Sequence, residues 1–181
     1  MRTANPELLI TTGLTGSGKT FFAEQLGTSV GAYFLDVDEL RLAVTDNEPT
    51  FASPESAAVY RVATYFAGSH LLQGHSIICN GNYNQAARRE SMRIMAEQHS
   101  ALCLTIWIDA PDEVLRHRMQ TRNHIFLSEQ MNLQPLELLE HMQATFESPQ
   151  DEQGVIRIDG TAPFQAQVTS FKNQRRRLLG V

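Results

Sequence analysis

The chain has 181 residues, of which 42% are hydrophobic and 19% charged, with a formal net charge of −5. These values fit one ordinary globular domain with a real core, and the acidic balance excludes a general electrostatic attraction for nucleic acid or anionic membranes. No apolar run approaches the ~20 residues of a membrane span, and the N-terminal residues lack a signal-peptide stretch, so a cytoplasmic location is expected.

The first apolar, β-rich run is Leu8–Thr12. It leads directly into Gly13-Leu14-Thr15-Gly16-Ser17-Gly18-Lys19-Thr20, and a helix-like run follows to Leu26. The octet fits the phosphate-binding pattern G-x-x-x-x-G-K-[ST] at each fixed position, in the strand–loop–helix setting that the mechanism needs. Glycines let the backbone curl so that successive N–H groups face phosphate oxygens, and the helix adds its positive end. Gly13, Thr15, Gly16, Ser17, Gly18, Lys19 and Thr20 are therefore the expected cradle for a nucleoside triphosphate, taken as ATP. Lys19 reaches the β- and γ-phosphates, and Thr20 offers its hydroxyl to Mg²⁺.

A short strand is expected at Ala32–Leu35, followed by Asp36-Val37-Asp38-Glu39-Leu40-Arg41 and a short helix, Glu39–Val44. With a helix starting near Asp38, Asp38 and Arg41 share a face. Beside a triphosphate, such a pair serves phosphoryl transfer to a hydroxyl. Asp38 takes the proton and Arg41 holds the acceptor. The blander role for Asp38, or for Asp36, is a helix cap. Residues 46–51 read as a loop, and Pro54–Gln73 as a long helix opened by Ser53 and Pro54 and closed by Gly74.

Ile77–Cys79 is the next strand. A magnesium-binding strand of this kind ends in Asp, whereas here the position is Asn80, whose amide orients metal-bound water without adding charge. Gln85–Gln98 reads as a helix and Leu102–Ile108 as a fully apolar strand. The helix Pro111–Arg122 carries Arg116, Arg118 and Arg122, the last two on one face. The polar stretch from Thr121 to Asn132 reads as a flap able to deliver an Arg to the transition state. A helix at Pro135–Phe146, a strand at Val155–Ile158 and a helix at Phe164–Leu179 complete the chain. Cys79 and Cys103 read as reduced thiols, the six His residues lack zinc-ligand spacing, and Arg175–Arg177 read as a solvated helix end.

Apolar strands alternating with helices imply a parallel sheet covered on both faces, with ligands beyond the strands' C-terminal ends. Four passages, GLTGSGKT, DVDELR, QGHSIICNGNYNQAARRE and IDAPDEVLRHRMQTR, make residues 8–122 resemble small P-loop kinases related to polynucleotide 5′-hydroxyl kinases, zeta toxins and chloramphenicol phosphotransferase. The resemblance implies one α/β P-loop domain over residues 1–181. Its five-stranded parallel sheet would follow the nucleoside-kinase order, with a helical lid at about 116–134. It places Asp38 as general base and Arg41 at the acceptor, with Arg88 or Arg89 helping there, and assigns Arg118 and Arg122 to lid and phosphates. The group usually carries Asp at the position of Asn80. The implied acceptor is either a nucleic-acid 5′-hydroxyl or a small metabolite or antibiotic. The DxxR passage favours the first and the net charge the second. The alternative is a nucleotide-dependent switch that hydrolyses ATP slowly and has no acceptor.

Overall fold

Strands made of unbroken apolar runs bury both faces, and this chain resolves the demand with a three-layer sandwich. The computed structural model describes residues 5–46, 49, 53–121 and 133–180. Its elements are β1 (Glu7–Thr12), α1 (Lys19–Val30), β2 (Tyr33–Asp36), α2 (Val37–Val44), α3 (Ser53–Leu72), β3 (Ile77–Asn80), α4 (Ala86–Gln98), β4 (Leu102–Asp109), α5 (Asp112–Thr121), α6 (Pro135–Ala144), β5 (Val155–Asp159) and α7 (Phe164–Leu179). The five strands are all parallel, in the order β2-β3-β1-β4-β5.

The period-2 alternation of side chains assigns each strand residue to one of two cores. Leu8, Ile10, Ile77 and Cys79 face α3 and α4, where Val59, Ala63, Ala67, Met92 and Met95 meet them. Leu9, Ile78, Leu104, Ile106, Ile108 and Ile156 face α1 and α7, against Phe22, Leu26, Val168 and Phe171. A third, smaller cluster joins α5 to α6 through Leu115, Met119, Leu138, Leu139 and Met142. Both cysteines are free, and burial pushes each thiol up to about 12.

This order places β1 at the centre. The ends of β2 and β3 lie to one side of the loop after β1, and the ends of β4 and β5 to the other. Residues 122–132, the middle of the expected lid, lie outside the described residues. No described helix is long and apolar enough to cross a membrane.

Candidate active site

At the C-terminal ends of the strands lies a cavity of about 770 Å³. Its floor is the loop between β1 and α1. Gly13, Gly16 and Gly18 hold φ of +136°, +81° and +101°, angles that favour glycine. At Gly13 space forbids a side chain as well, since a Cβ would lie 2.2 Å from the Ile108 carbonyl oxygen. No side chain caps α1, and its first turn holds no acid. The leading N–H groups of this helix are thus left for an anion. Lys19 Nζ donates to the Leu14 carbonyl oxygen at 2.9 Å, arching over the loop. Thr15 and Ser17 are buried within the loop.

Pairing of β2 with β3 sets Asp36 beside Asn80. Asn80 Nδ2 donates to Asp36 Oδ2 at 2.9 Å and to Thr20 Oγ1 at 3.1 Å, while Oδ1 accepts from Thr11 Oγ1 at 2.7 Å. The carboxylate can only accept, so the network fixes which end of the amide faces it. This corrects the expectation for Asn80: it turns its NH₂ toward Thr20, and an amide nitrogen does not ligate a cation. The negative charge comes from the neighbouring strand instead. Asp36 also caps α2, with Oδ1 accepting from the N–H groups of Asp38 and Glu39. From the sequence alone, only the capping role of Asp36 is legible. The missed signal is that Asp36 ends a strand lying directly beside the strand that ends in Asn80. Thr20 and Asp36 are the hard oxygen donors that would hold Mg²⁺, which takes one or two protein ligands and completes its shell with water and phosphate.

Asp38 lines the cavity, half-buried, beyond Lys19. Burial, and then the Asp36 charge, raise its carboxyl above the ordinary value, while Arg41 and Lys19 pull it down. A base tuned upward in this way suits proton abstraction near neutral pH.

The arginines depart from expectation. Arg41 is buried and turns to α3, with Nη1 2.5 Å from Glu55 Oε1. It stands beside Asp38 rather than on the cavity wall, so its position is that of a support. Arg89 is not at an acceptor position either. Its side chain is 1% exposed, forks onto the Glu152 carboxylate and donates to the carbonyls of Tyr83 and Glu147. It pins the start of α4 to the 147–152 segment. Arg88 packs behind Asn82, just past the end of β3. Its guanidinium carbon lies 4.4 Å from the Tyr60 ring centroid, and Nη1 donates to the Asn82 carbonyl.

On the other side of the loop, Arg118 donates to the carbonyls of Gly16, Ser17 and Gly160. It ties the phosphate loop to the turn after β5, where Gly160 fits so closely that a Cβ would lie 2.5 Å from the Ser17 carbonyl oxygen. Arg122 lies outside the described residues. This side adds Phe21, Gly160, Thr161, Ala162, Phe164 and Gln167 to the cavity wall. No sequence motif marks any of these six as a site residue. Gly160, Thr161 and Ala162 follow β5 directly, while Phe21 stands on α1 and Phe164 and Gln167 on α7.

A phosphate-binding loop at the centre of a 2-3-1-4-5 parallel sheet, with a raised carboxylate across the cavity, defines a P-loop kinase fold. The sequence matches the AAA_33 family, an AAA domain, over residues 8–149, and the chain belongs to that family. It is 25% identical over 159 residues to a gluconokinase of Gluconobacter oxydans (strain 621H), covering 86% of this chain and 83% of that one. A gluconokinase structure from Sinorhizobium meliloti 1021 superposes with a TM-score of 0.69 at 15% identity, over 98% of this chain and 95% of that one. The Mycobacterium tuberculosis APS kinase CysC, in complex with AMPPNP and APS, superposes with a TM-score of 0.71 at 19% identity, over 98% and 99%. The two structural likenesses concern the fold.

Proposed function

We propose that this protein is an ATP-dependent phosphotransferase that moves the γ-phosphoryl group to a hydroxyl of a small, polyol-like metabolite. The observation carrying the reading is Asp38, a partly buried carboxylate with a raised affinity for protons, facing the phosphate loop across one cavity. The acceptor O–H gives its proton to Asp38 as its oxygen bonds to the γ-phosphorus, and the bond from that phosphorus to the β–γ bridging oxygen breaks, releasing ADP. Lys19 swings from the Leu14 carbonyl to the β- and γ-phosphates. Thr20 and Asp36 would hold a Mg²⁺ ion, which would supply charge neutralisation at the phosphates.

Charge on the acceptor side favours a small molecule over a nucleic-acid end. Asp36, Asp38 and Glu39 line that side, while Arg41 and Arg89 are buried in ion pairs. A polynucleotide needs a basic track along its backbone, and the described residues on this side do not make one. The relative named as a gluconokinase supports a hydroxylated acid or polyol.

The test is incubation with γ-labelled ATP, Mg²⁺ and a panel of sugar acids, polyols and 5′-hydroxyl oligonucleotides. Label on a polyol-class product is expected. Label on oligonucleotides alone would replace the acceptor class. Hydrolysis with no acceptor labelled would leave the switch reading standing.

A further inference from the structure

We propose that Gln167 selects adenine over guanine nucleotides, its side-chain oxygen accepting a hydrogen bond from the 6-amino group of the base. The inference rests on the phosphate-loop reading, which fixes where a triphosphate lies. Strand order then fixes the base. The acceptor carboxylates follow β2, so a nucleotide with its phosphates over Gly16–Thr20 extends toward the turn after β5.

The donors of Gly160, Thr161 and Ala162 already have partners within the turn or on β4. The Gly160 N–H donates to the Asp109 carbonyl at 2.7 Å, the Thr161 N–H to Asp159 Oδ1 at 2.8 Å and the Ala162 N–H to the Asp159 carbonyl at 3.2 Å. The Thr161 hydroxyl donates to Asp159 Oδ1 at 2.6 Å. The terminal nitrogens of Arg118 are held by the carbonyls of Gly16, Ser17 and Gly160. Among the described residues, the N–H groups of Gly160, Thr161 and Ala162 and the Thr161 hydroxyl are thus already engaged.

Gln167 is one turn into α7, and its spacing puts it on one face with Phe164. Its Nε2 donates to the Asp159 carbonyl at 2.9 Å. A carbonyl only accepts, so the amide orientation is fixed and Oε1 is the free end. Oε1 takes no hydrogen bond from the described residues, and it is not sealed away from solvent. Gln167 itself is 7% exposed and lines the cavity, so its side chain is held in one pose. Phe21, 59% exposed, meets Phe164 edge to face with centroids 5.9 Å apart, giving a flat base an apolar wall. An amino group at the purine 6-position satisfies Oε1. The 6-carbonyl of guanine or hypoxanthine sets acceptor against acceptor and leaves both unpaired.

The test is calorimetric binding, with Mg²⁺, of ATP, ITP, GTP, purine riboside triphosphate and inorganic tripolyphosphate to the whole chain. ATP is expected to bind at least about 10-fold more tightly than ITP and GTP, with purine riboside triphosphate between them. Gln167→Leu should bring ATP and ITP within about 2-fold of each other. The series on the unmodified protein stands even where this variant fails to fold. Equal binding of ATP and ITP by the unmodified protein overturns the assignment, as does a full ATP preference in Gln167→Leu. If tripolyphosphate and every nucleotide bind alike, the base assignment alone falls. If no triphosphate binds, the phosphate-loop reading falls with it.

Discussion

Asp38 bears two consequences of one environment. Its folded-state proton affinity is raised, so its contribution to stability is complete below the ordinary value of 3.8 and is lost as pH rises through the higher folded value. Asp38→Asn removes that loss. The variant is expected to melt above the wild type at pH 8, with the gap closing as pH falls toward 4, as read by calorimetry. The same variant keeps ATP binding and loses phosphoryl transfer by about 10²-fold or more, since it retains size but not basicity. Arg41 acts on this carboxylate from behind. Its charge lowers the Asp38 value, so Arg41→Ala raises that value further and moves the acid limb of the pH–rate profile upward. A limb that stays in place would detach Arg41 from the chemistry. The loop motif announced Lys19 and Thr20, and Asp38 was legible from its place after a strand. The rotation of Arg41 onto Glu55 was not legible, because helical spacing gives the face and not the neighbour that occupies it.

At the scale of elements, the sheet register does what a single strand's sequence cannot disclose. Asn80 read along β3 alone is a departure from a metal-binding Asp. Read across to β2, it is the link between Asp36 and Thr20. Asn80→Asp therefore sets two carboxylates where a 2.9 Å hydrogen bond now lies. Like charges at that range disfavour joint ionisation. The variant is expected to melt below the wild type without metal and to regain part of the loss with Mg²⁺ and ATP. A variant as stable as wild type in EDTA would refute the link. Arg89 teaches the same lesson on α4. Periodicity placed it on a helix, but only tertiary packing buries it against Glu152. Removing Arg89 takes a donor from the carbonyls of Tyr83 and Glu147, and leaving a buried acceptor unsatisfied costs about 1–3 kcal/mol. Arg89→Ala is thus expected to lower stability by that order in denaturant titration while leaving the acceptor KM of the surviving folded protein unchanged.

Over the whole molecule, the alternation of apolar runs and helices carried the fold class, and the sheet order agrees with the order the resemblance implied. The side of the cavity lined by Phe21, Gly160, Thr161, Ala162, Phe164 and Gln167 was illegible because its residues come from α1, α7 and the turn after β5. They share no motif and meet only when the sheet closes. Those long-range ties make the cavity a clamp between sheet halves, with Arg118 bridging the phosphate loop and Gly160. A ligand in it should stabilise the chain as a unit. At a concentration 100 times its Kd, a ligand of the folded state alone adds about 2.7 kcal/mol. For a domain of this size, 1 kcal/mol corresponds to about 2–4 °C of melting temperature. Mg²⁺ with a non-hydrolysable ATP analogue at that saturation is therefore expected to raise the Tm by about 5–10 °C in a thermal-shift measurement. Lys19→Ala, which deletes the charge aimed at the β- and γ-phosphates, should abolish most of that rise at the same nucleotide concentration while leaving the ligand-free Tm near the wild-type value. An undiminished rise in Lys19→Ala would mean that the nucleotide binds elsewhere, and the phosphate loop would lose its assignment.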